Sequence, residues 1–313
     1  MSISIDYIDE VTAYLPTLRQ LQYLVAVHDE GHFGRGAEAC FVTQSTLSAG
    51  VQELEKLLGT KLVERSRQAI RFTPLGKEIV ERARRVLRET EEIAGLAQAA
   101  GKPLTAELRM GVIPTIAPFL LPRVLPDLRK AYPELKLYLR EETSQQACDA
   151  LHRGSLDCVL LALPFPCGDV DSETLFDDEL LLALRAKEAE AFPSEVPPAA
   201  IHNSDLLLLE DGHCLTDHSL AACGRRAPDS AMLGTSLHTL VQMVDNGMGL
   251  TLVPQMAVDA GILDGTSLVS RRLAADNAAR QIALIWRRRS PREKEFRLLA
   301  ETLRESAGQL NGG

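Results

Sequence analysis

The stretch GHCLTDHSLAAC, residues 212–223, contains two thiols whose spacing suits redox chemistry. Its pattern predicts a helix from about His213 to Ala222 that ends at Gly224. Cys214 then lies in the first helical turn, where free backbone amides and the helix dipole favour a thiolate, as does a protonated His213. Because thiolates react with peroxide and buried neutral thiols mostly do not, the pattern predicts a reactive thiol at Cys214.

The second thiol of this stretch, Cys223, lies nine positions after Cys214. Nine helical residues rise about 13.5 Å, whereas the Cα atoms of a disulfide are rarely more than about 7 Å apart. The two sulfurs therefore cannot bond while the helix persists. If Cys223 attacks an oxidised Cys214, the segment between them must unwind, so that chemistry at one sulfur becomes a change of shape.

Two other interpretations of this pair remain open. Free cysteines often serve as small core residues with no redox role. His213, Cys214, His218 and Cys223 could also bind a metal ion, because Cys214 and His218 share a helical face at positions i and i+4. Cys223 lies more than two turns from Cys214, so a single ion would require the same disruption of the helix.

The composition is that of a globular protein built from two or three compact units. The sequence has 313 residues, and its N-terminus, MSISIDYIDEVTAYLP, lacks the basic start and apolar run of a signal peptide. No apolar stretch reaches the ~18 residues that cross a bilayer, so we expect a cytoplasmic protein without a membrane partner. In that compartment cysteines rest as thiols, and a pair that oxidises is redox-active rather than structural.

The other four cysteines carry no motif. None of the six cysteines forms a CxxC pair, which argues against a zinc ribbon, and no metal or cofactor is expected. Cys40 and Cys158 are interpreted as core residues, whereas Cys148 and Cys167 have no evident partner and are assigned no role. The chain contains no nucleophile elbow, P-loop, GxGxxG or HExxH motif, so we do not expect an enzyme.

Charge is unevenly distributed along the chain. The net charge is -9 at pH 7, yet residues 61–88 contain nine basic residues and only three acidic ones. An anionic partner is therefore expected to bind at this basic segment.

Three helical patterns precede or overlap the start of the basic segment. Thr17 begins a capping box and predicts a first helix over about 17–28, and GHFGRGAEAC predicts a turn and a short second helix. Thr43 caps a third helix. The apolar positions that share one face of this third helix are Leu47, Val51, Leu54 and Leu58.

This arrangement is typical of a helix-turn-helix, whose third helix enters the major groove of DNA with its N-terminal end. Gln and Ser side chains there can bind base edges, while nearby Arg and Lys side chains bind phosphates. After Gly59, the segment KLVERSRQAIRFT predicts a β-wing beside the DNA backbone. A helical bundle with a solvated polar face is the alternative. The candidate DNA-binding residues are Gln44, Ser45, Thr46, Ser48, Gln52, Arg65 and Arg67.

A long helix is predicted to begin at Pro74, with Ile79, Val86 and Ile93 at seven-residue intervals. This narrow apolar seam can pair with a second copy of the chain as a coiled coil. The alternative is a helix that packs on its own chain. A dimer places two reading heads on one duplex and therefore requires a pseudo-palindromic site.

Strand-like and helical runs alternate after Gly101-Lys-Pro103. The runs LRMGVI, LKLYLRE and DCVLLAL, separated by helical stretches, predict a βαβαβ unit with a parallel sheet. A second set of strands predicts a second lobe, and the final helix, REKEFRLLAETLRESA, is expected to cover the first lobe. The first helical stretch contains three prolines that cannot all lie inside one regular helix, so we expect a break near its start: Pro118, Pro122 and Pro126.

The motif FxRxAxxCxVxQxTLSxxVxxLExxLGxxLxER, from Phe33 to Arg65, resembles the winged helix-turn-helix of LysR-type transcription regulators. The stretch NGMGLTLVP at 246–254 is similar to the second-lobe signature of that family. Gly34 and Gly36 depart from the family pattern, and their low helix propensity predicts a less rigid second helix.

This resemblance implies an α/β protein with an N-terminal all-α winged helix-turn-helix and an effector part of two Rossmann-like lobes, similar to periplasmic binding proteins. The expected domains are a DNA-binding domain at 17–73, a dimerising linker helix at 74–101 and an effector domain at 106–313. Within the effector domain, lobe one is expected at about 106–176 and 281–308, and lobe two at about 177–280.

The segment EDGHCLTDHSLAAC resembles the redox segment of the OxyR-type branch of this family, which senses hydrogen peroxide. The resemblance implies that Cys214 is peroxidatic and Cys223 resolving. The stretch GVIPTIAPFLLP at 111–122 is similar to the same branch. Hydroxyl and imidazole groups suit a pocket that orients the O–O bond toward sulfur. The residues that match pocket positions are Thr115, Thr143, His213 and Asp217.

The sequence therefore predicts a transcription regulator that senses hydrogen peroxide through Cys214 and Cys223. The expected partners are double-stranded promoter DNA with pseudo-palindromic sites, hydrogen peroxide, further copies of the chain in a dimer of dimers, and RNA polymerase. One alternative is a LysR-type regulator that responds to a small organic ligand in the crevice between the lobes. Another is a thiol peroxidase with a DNA-binding appendage.

Overall fold

The computed structural model of the protein describes residues 15–65, 70–99, 103–225 and 233–308. The chain divides into two compact units, Met1–Gly95 and Leu96–Gly313. None of the helices in the described ranges has the length and apolar character needed to span a membrane.

The first unit contains three short helices and a two-stranded antiparallel wing, followed by a long helix. The capping box is confirmed, because Gln20 N donates to Thr17 Oγ1 at 3.2 Å and Thr17 N donates to Gln20 Oε1 at 3.0 Å. The helices and strands of this unit are α1 (Leu18–Glu30), α2 (Phe33–Ala39), α3 (Gln44–Leu57), β1 (Val63–Arg65), β2 (Ile70–Phe72) and α4 (Pro74–Ala99).

Helix α3 begins as predicted, with Thr43 Oγ1 accepting a hydrogen bond from Thr46 N at 3.2 Å. Leu47, Val51 and Leu54 are fully buried in the core of the first unit. The prediction that Leu58 continues this buried face is wrong. Leu58 is the C-cap residue, where the chain leaves the helix, and its side chain is 37% exposed.

Gly36 has a packing role that helix propensity does not reveal. The residue is buried, and an added Cβ would lie 3.3 Å from backbone atoms of Ala26 and Val27. The missing side chain therefore lets α2 approach the backbone of α1 closely.

The second unit is built on an eight-stranded mixed sheet with helices packed on it. Its strands are β3 (Glu107–Val112), β4 (Lys136–Glu141), β5 (Cys158–Leu163), β6 (Val170–Arg185), β7 (Glu195–Val196), β8 (Leu208–Leu209), β9 (Leu233–Gly234), β10 (Thr251–Pro254), β11 (Leu268–Leu273) and β12 (Ala279–Arg287). Its α-helices are α5 (Ala117–Ala131), α6 (Ser144–Arg153), α7 (Cys214–Ala222), α8 (Leu237–Asp245), α9 (Gln255–Asp259) and α10 (Glu293–Gly308).

Two long strands join the two lobes of this unit. Strand β3 pairs in parallel with β4 and β5, which confirms the predicted βαβαβ arrangement of the first lobe. Strand β12 pairs antiparallel with β5 and with β6, and the end of β6 pairs with β10 and β11 of the second lobe. Strands β8 and β9 form a separate two-stranded parallel sheet in the second lobe.

Helix α5 is continuous, so the predicted break is wrong. Pro118 lies in its first turn, where a missing amide costs no helical hydrogen bond. Pro122 and Pro126 follow at four-residue intervals, so all three share one face, and all three are exposed. Water can therefore solvate the carbonyls that lose their partners, while Leu120, Val124 and Leu128 bury the opposite face.

The final helix packs on the first lobe, as predicted. Tyr132 Oη, at the end of α5, lies 3.1 Å from Thr302 Oγ1 on α10. The rings of Trp286 on β12 and Phe296 on α10 lie 5.6 Å apart, and both are buried. This contact closes the apolar core over the first-lobe strands.

Candidate functional site

The helix predicted around the cysteine pair is present as α7, Cys214–Ala222. His213 is its N-cap residue and Cys223 its C-cap residue. Gly224 follows with φ +61°, a conformation that favours glycine and ends the helix. Each boundary of the predicted helix is thereby confirmed to within one residue.

Cys214 and Cys223 are both free and buried at opposite ends of α7. A helical rise over nine residues separates their Cα atoms by about 13.5 Å, too far for a disulfide. The helix therefore keeps the two sulfurs apart, and a bond between them requires α7 to unwind.

The start of α7 is hydrogen-bonded to the start of α6. Cys214 N donates to Ser144 Oγ at 3.2 Å, and Gln145 N donates to the carbonyl of Gly212 at 3.3 Å. Gly212 has φ +92°, and an added Cβ would lie 3.5 Å from Thr143 Oγ1. The cysteine therefore begins its helix directly against the N-terminus of a first-lobe helix.

Cys214 is a neutral thiol in this arrangement. Burial raises the pKa of the Cys214 thiol and outweighs the opposing influences of Arg280, the Ser144 hydroxyl and a backbone hydrogen bond from Ala162. Asp217 raises the pKa further. The prediction that the helix terminus holds Cys214 as a thiolate is therefore wrong for this conformation. The residue is 1% exposed, so its sulfur loses its hydration.

His213 does not supply the positive charge that was expected beside Cys214. Burial lowers the pKa of His213, and the nearby Glu210 offsets this only in part. The imidazole caps α7 without a side-chain hydrogen bond to the helix amides. A neutral ring cannot stabilise a thiolate by charge, although it can accept or donate a hydrogen bond.

The cation that does act on Cys214 is Arg280, which the sequence did not indicate. Its side chain is wholly buried, and Nε donates to Asp178 Oδ2 at 3.0 Å. Nη1 donates to Thr115 Oγ1 at 2.8 Å and Nη2 to the Thr115 carbonyl at 3.0 Å. Asp178 and Arg280 are cross-strand partners on β6 and β12, so the two strands that join the lobes hold this charge in place.

Asp178 also reaches into the second lobe. Its Oδ1 accepts a hydrogen bond from the backbone amide of Met256 at 2.9 Å, at the start of α9. Thr115, Arg280, Asp178 and Met256 therefore form one buried chain of hydrogen bonds from the first lobe to the second.

The four predicted pocket residues have different surroundings. Thr115 and His213 are buried, and Thr143 caps α6 through a hydrogen bond from Gln146 N to its Oγ1 at 3.4 Å. Asp217 lies in the first turn of α7 with its side chain exposed. Thr143 and His213 thus flank the start of α7, whereas Thr115 is hydrogen-bonded to Arg280. Asp217 acts on Cys214 through its charge.

His218 lies one turn after Cys214 and joins α7 to the first lobe. Its Nε2 lies 2.9 Å from the carbonyl oxygen of Pro164. Within the described part of the chain, its Nδ1 is buried without a hydrogen-bond partner, and burial lowers the pKa of the ring. The described residues hold no group of three or more His, Cys, Asp or Glu side chains that could bind a metal ion.

Two cysteines without a predicted role, Cys148 and Cys167, are joined by a disulfide. Their Cα atoms lie 5.4 Å apart, and both residues are buried. They are 19 positions apart in the sequence with no motif between them. The pairing becomes visible only when the fold brings α6 next to the loop that follows β5. Cys158 is fully buried and Cys40 packs half-buried against the first core, in agreement with their predicted core role.

The predicted base-reading residues lie on α3, from Gln44 at its start to Gln52 in its third turn. Thr43 Oγ1 lies 2.9 Å from Ser45 Oγ and 2.8 Å from Thr46 Oγ1, which ties these hydroxyls to the cap. Gln44, Ser45, Thr46 and Gln52 are exposed, and Ser48 is half-buried. Arg67 and the side chain of Arg65 lie outside the described residues.

The basic segment is only partly available to an anion. Arg84 is buried, and its Nη1 donates to Asp29 Oδ2 at 2.9 Å, so this residue stabilises the fold of the first unit. Arg71 and Lys77 are exposed and line a cavity of 340 Å³ at the base of the wing, together with His28. The interpretation of the whole segment as an anion-binding surface is therefore wrong for Arg84.

The predicted pairing seam of α4 is partly exposed. Val86 is 44% exposed and Ile93 68% exposed, while Ile79 is half-buried and Ala83 is buried. Two large apolar side chains on one helical stripe face solvent in this single chain.

A winged helix-turn-helix unit and a two-lobe α/β unit define a class of DNA-binding regulators that carry a sensing domain. Residues 18–77 match the family of bacterial regulatory helix-turn-helix proteins of the lysR type, and residues 101–308 match the LysR substrate binding domain. The chain belongs to the LysR family of bacterial transcription regulators.

Known relatives place the chain within this family. It is 39% identical to the HTH-type transcriptional regulator EstR of Acinetobacter baylyi over 301 residues, covering 96% of this chain and 100% of that protein. It is 38% identical to the DNA-binding transcriptional dual regulator OxyR of Escherichia coli over 290 residues, covering 92% and 94%. The solved structure of a full-length OxyR variant from Pseudomonas aeruginosa has a TM-score of 0.74 at 37% identity and covers 92% and 94%. The protein is an OxyR-like LysR regulator.

Proposed function

We propose that the protein regulates transcription in response to hydrogen peroxide by linking Cys214 to Cys223. The observation that carries the proposal is their placement at opposite ends of α7, both buried and free. A disulfide between them is incompatible with the helix, so its formation must refold the segment. Relatives named as hydrogen peroxide-inducible genes activators support the choice of oxidant.

The chemistry has two steps. The Cys214 sulfur attacks one oxygen of the peroxide, which gives a sulfenic acid and releases one water molecule. The Cys223 thiol then attacks the sulfenic sulfur, which forms the disulfide and releases a second water molecule. Two thiols and one peroxide thus yield one disulfide and two waters.

The surrounding residues have proposed roles in the first step. Arg280 lowers the pKa of the Cys214 thiol against the effect of burial, so it favours the thiolate that attacks. Thr115, Thr143 and His213 are proposed to orient the peroxide, and Asp217 is proposed to tune the charge around the sulfur.

DNA binding is proposed to use Gln44, Ser45, Thr46, Ser48 and Gln52 for base edges, with Arg65 and Arg67 on the phosphates. The domains are proposed to lie at 17–73, 74–101 and 106–313. The α4 seam is proposed to pair two copies, and two such dimers to form a tetramer on a pseudo-palindromic promoter, where RNA polymerase is a further partner. We place the protein in the cytoplasm and assign it no catalytic turnover.

Mass mapping of disulfides after brief oxidation of the full-length protein tests this function. We expect a Cys214–Cys223 link with a loss of two hydrogens per subunit, and loss of the transcriptional response in Cys214→Ser. Cys40→Ser, in the other unit, is the matched control and keeps the response. A normal response of Cys214→Ser to peroxide would refute the proposal.

A second candidate function is regulation by a small organic ligand bound between the lobes. It is favoured by the full-length similarity to EstR, whose name does not refer to peroxide. A double Cys214→Ser, Cys223→Ser variant that keeps its transcriptional response, with a melting temperature that rises on ligand addition, would support this candidate. Peroxide turnover with a thiol reductant would instead indicate a peroxidase.

A further inference from the structure

We propose that Cys148 and Cys167 form a second redox couple, whose oxidation makes the Cys214–Cys223 bond harder to form. The proposed effect on Cys214 and Cys223 rests on the peroxide-sensing function proposed above. The existence of the second couple does not rest on that function, because its two thiols lie on other elements.

The Cys148–Cys167 bond joins α6 to the loop at 164–169 between β5 and β6. A regulator that acts on bacterial DNA works where thiols are kept reduced, so a disulfide in it forms and breaks with redox conditions. Both cysteines are buried, but Pro166 and Gly168 on either side of Cys167 are exposed. Local opening of this loop gives oxidants and dithiol reductants access to the sulfurs.

The two segments joined by this bond both form hydrogen bonds with the first half of α7. Ser144, one turn before Cys148 on the same face of α6, accepts the hydrogen bond from Cys214 N at 3.2 Å. Pro164, three residues before Cys167, accepts the hydrogen bond from His218 Nε2 at 2.9 Å. The disulfide therefore lies between the two first-lobe acceptors of α7.

The loop also packs along α6 beyond the disulfide. His152 Nε2 lies 2.6 Å from the carbonyl oxygen of Cys167. An added Cβ on Gly168, which has φ +71°, would lie 3.0 Å from the His152 ring. The loop therefore contacts α6 at two places, at Cys148 through the disulfide and at His152 through this hydrogen bond.

This arrangement gives the second couple a defined effect. When the Cys148–Cys167 bond is present, Ser144 and Pro164 are held at a fixed separation that matches helical α7. Unwinding of α7 must then break these two hydrogen bonds, because neither acceptor can follow the moving helix. When the bond is reduced, the loop can move away from α6 and the helix is held less firmly, so Cys223 reaches the oxidised Cys214 more readily.

The chemistry of the couple is balanced in both directions. Oxidation uses one peroxide: the first thiol gives a sulfenic acid and water, and the second thiol displaces a second water as the disulfide forms. Reduction uses a dithiol, one thiolate of which attacks a sulfur of the bond and forms a mixed disulfide with the protein. The second thiolate of the reductant attacks this mixed disulfide and releases the protein cysteine. Cys148 and Cys167 return as thiols, and the reductant leaves as its own disulfide with two electrons transferred.

The couple is tested first in the full-length double variant Cys214→Ser, Cys223→Ser. We expect that a native-state treatment with dithiothreitol removes the link between the peptides containing Cys148 and Cys167, and that hydrogen peroxide restores it. A link that survives dithiothreitol in the folded protein, or that peroxide fails to restore, overturns the couple. This measurement does not depend on the function of Cys214 and Cys223.

The control over the sensor is tested by the peroxide concentration at which half of the Cys214–Cys223 bonds form. Without the disulfide, unwinding of α7 should be easier by the free energy of one or two hydrogen bonds, which corresponds to a factor of about ten. Cys148→Ser and Cys167→Ser should therefore each need about tenfold less peroxide than the protein with the second couple oxidised. Wild-type protein whose second couple has been selectively reduced should match the variants at times before peroxide restores the Cys148–Cys167 bond, which separates the effect from any loss of folding. Cys40→Ser serves as the control for removal of an unrelated thiol.

An unchanged or higher peroxide requirement in the variants and in the reduced wild type overturns the proposed effect of the second couple on the Cys214–Cys223 bond. If the Cys214–Cys223 bond forms in none of these proteins, the proposed sensing function fails, and the control fails with it. A second couple that still cycles in the double variant would show that the two failures are separate.

Discussion

The backbone amide of Cys214 donates a hydrogen bond to the hydroxyl of Ser144, with 3.2 Å between the nitrogen and the oxygen. Ser144 begins α6 in the first lobe, and Cys214 begins α7 in the second. The same hydroxyl lowers the pKa of the Cys214 thiol. A single polar contact therefore links the position of the cysteine helix to the reactivity of its sulfur.

Replacement of Ser144 by alanine should slow the oxidation of Cys214. The variant loses one hydrogen bond to the sulfur and leaves the Cys214 amide without its acceptor, so we expect the pKa of the thiol to rise and the rate to fall by about tenfold. The rate of thiol loss on addition of peroxide, measured at several pH values, checks this. Ser155→Ala, at the other end of α6, is the control, because Ser155 Oγ donates only to the Ala150 carbonyl. Equal rates in the two variants would contradict the role of Ser144.

Replacement of Arg280 by glutamine should weaken both the fold and the sensor. The variant leaves the Asp178 carboxylate buried without its ionic partner, which costs about 3–5 kcal/mol of the free energy of unfolding. It also removes the charge that lowers the pKa of Cys214, so oxidation should slow. Urea unfolding followed by the fluorescence of Trp286, the single tryptophan, reports on the second unit.

Arg272→Gln is the matched control for Arg280. Its side chain is 67% exposed and pairs with the half-exposed Glu179, so its loss should cost less than about 1 kcal/mol. If both arginine variants unfolded at the same urea concentration as the wild type, the buried ion pair would not stabilise the junction of the lobes.

The helix-turn-helix and the cysteine helix could be predicted because their signals are local. Thr17, Thr43 and Gly224 are capping residues, and each acts on amides or carbonyls within four positions. The state of Cys214 could not be predicted, because burial depends on what packs over the helix from α6 and β5. The helix dipole is readable from sequence, but the desolvation that outweighs it is not.

Arg280 and the Cys148–Cys167 bond were missed for a related reason. Arg280 lies on β12 and acts on a residue at the start of α7, and only the cross-strand register with Asp178 brings it there. The continuous helix at the three prolines is different. Their four-residue spacing already places them on one face, so the exposed row of Pro118, Pro122 and Pro126 could have been read from the sequence.

Acidification below about pH 6.5 should destabilise the second unit. Burial lowers the pKa of both His213 and His218 below the ordinary value near 6.5, so the unfolded chain binds protons there that the folded chain does not. Stability is present above pH 6.5 and falls as the pH drops toward the folded pKa values. Trp286 fluorescence in urea at about pH 7.5 and pH 5.5 measures the difference.

His218→Gln should reduce this pH dependence, because it removes one of the two titrating groups. Thr216→Val is the control on the same helix: it removes the hydrogen bond from Thr216 Oγ1 to the Leu209 carbonyl, 2.9 Å long, without removing a histidine. The control should lower stability equally at both pH values. An undiminished pH dependence in His218→Gln would assign the proton uptake to other groups.

Replacement of Glu55 by alanine should loosen the wing. Burial alone raises the pKa of Glu55, but hydrogen bonds from Lys61 Nζ and from the Leu62 and Val63 amides outweigh it and lower the pKa. The two amides lie at the start of β1 and donate to Glu55 Oε1, at 2.9 Å from Leu62 N and 3.1 Å from Val63 N. Their loss of an acceptor should cost about 2 kcal/mol or more in the first unit.

Lys61→Ala is the control for Glu55, because it removes only the exposed partner of the same carboxylate. The Lys61 side chain is 75% exposed, so this variant should cost less than about 1 kcal/mol. Calorimetric melting of the full-length protein measures both, and promoter binding should weaken more in Glu55→Ala. Equal melting temperatures would show that the wing does not depend on the buried carboxylate.

Replacement of Phe41 by asparagine should stabilise the first unit. Phe41 lies in the turn between α2 and α3 with φ +54°, and its side chain is 96% exposed. A left-handed backbone costs a bulky residue about 1–2 kcal/mol, whereas asparagine adopts it readily, and the exposed ring contributes little packing in return. The calorimetric melting temperature of the first unit should therefore rise in Phe41→Asn. Phe41→Ala separates the two causes, because it removes the ring but keeps a Cβ in the same conformation. If alanine stabilised the unit as much as asparagine, the exposed ring rather than the backbone conformation would be the source of the penalty.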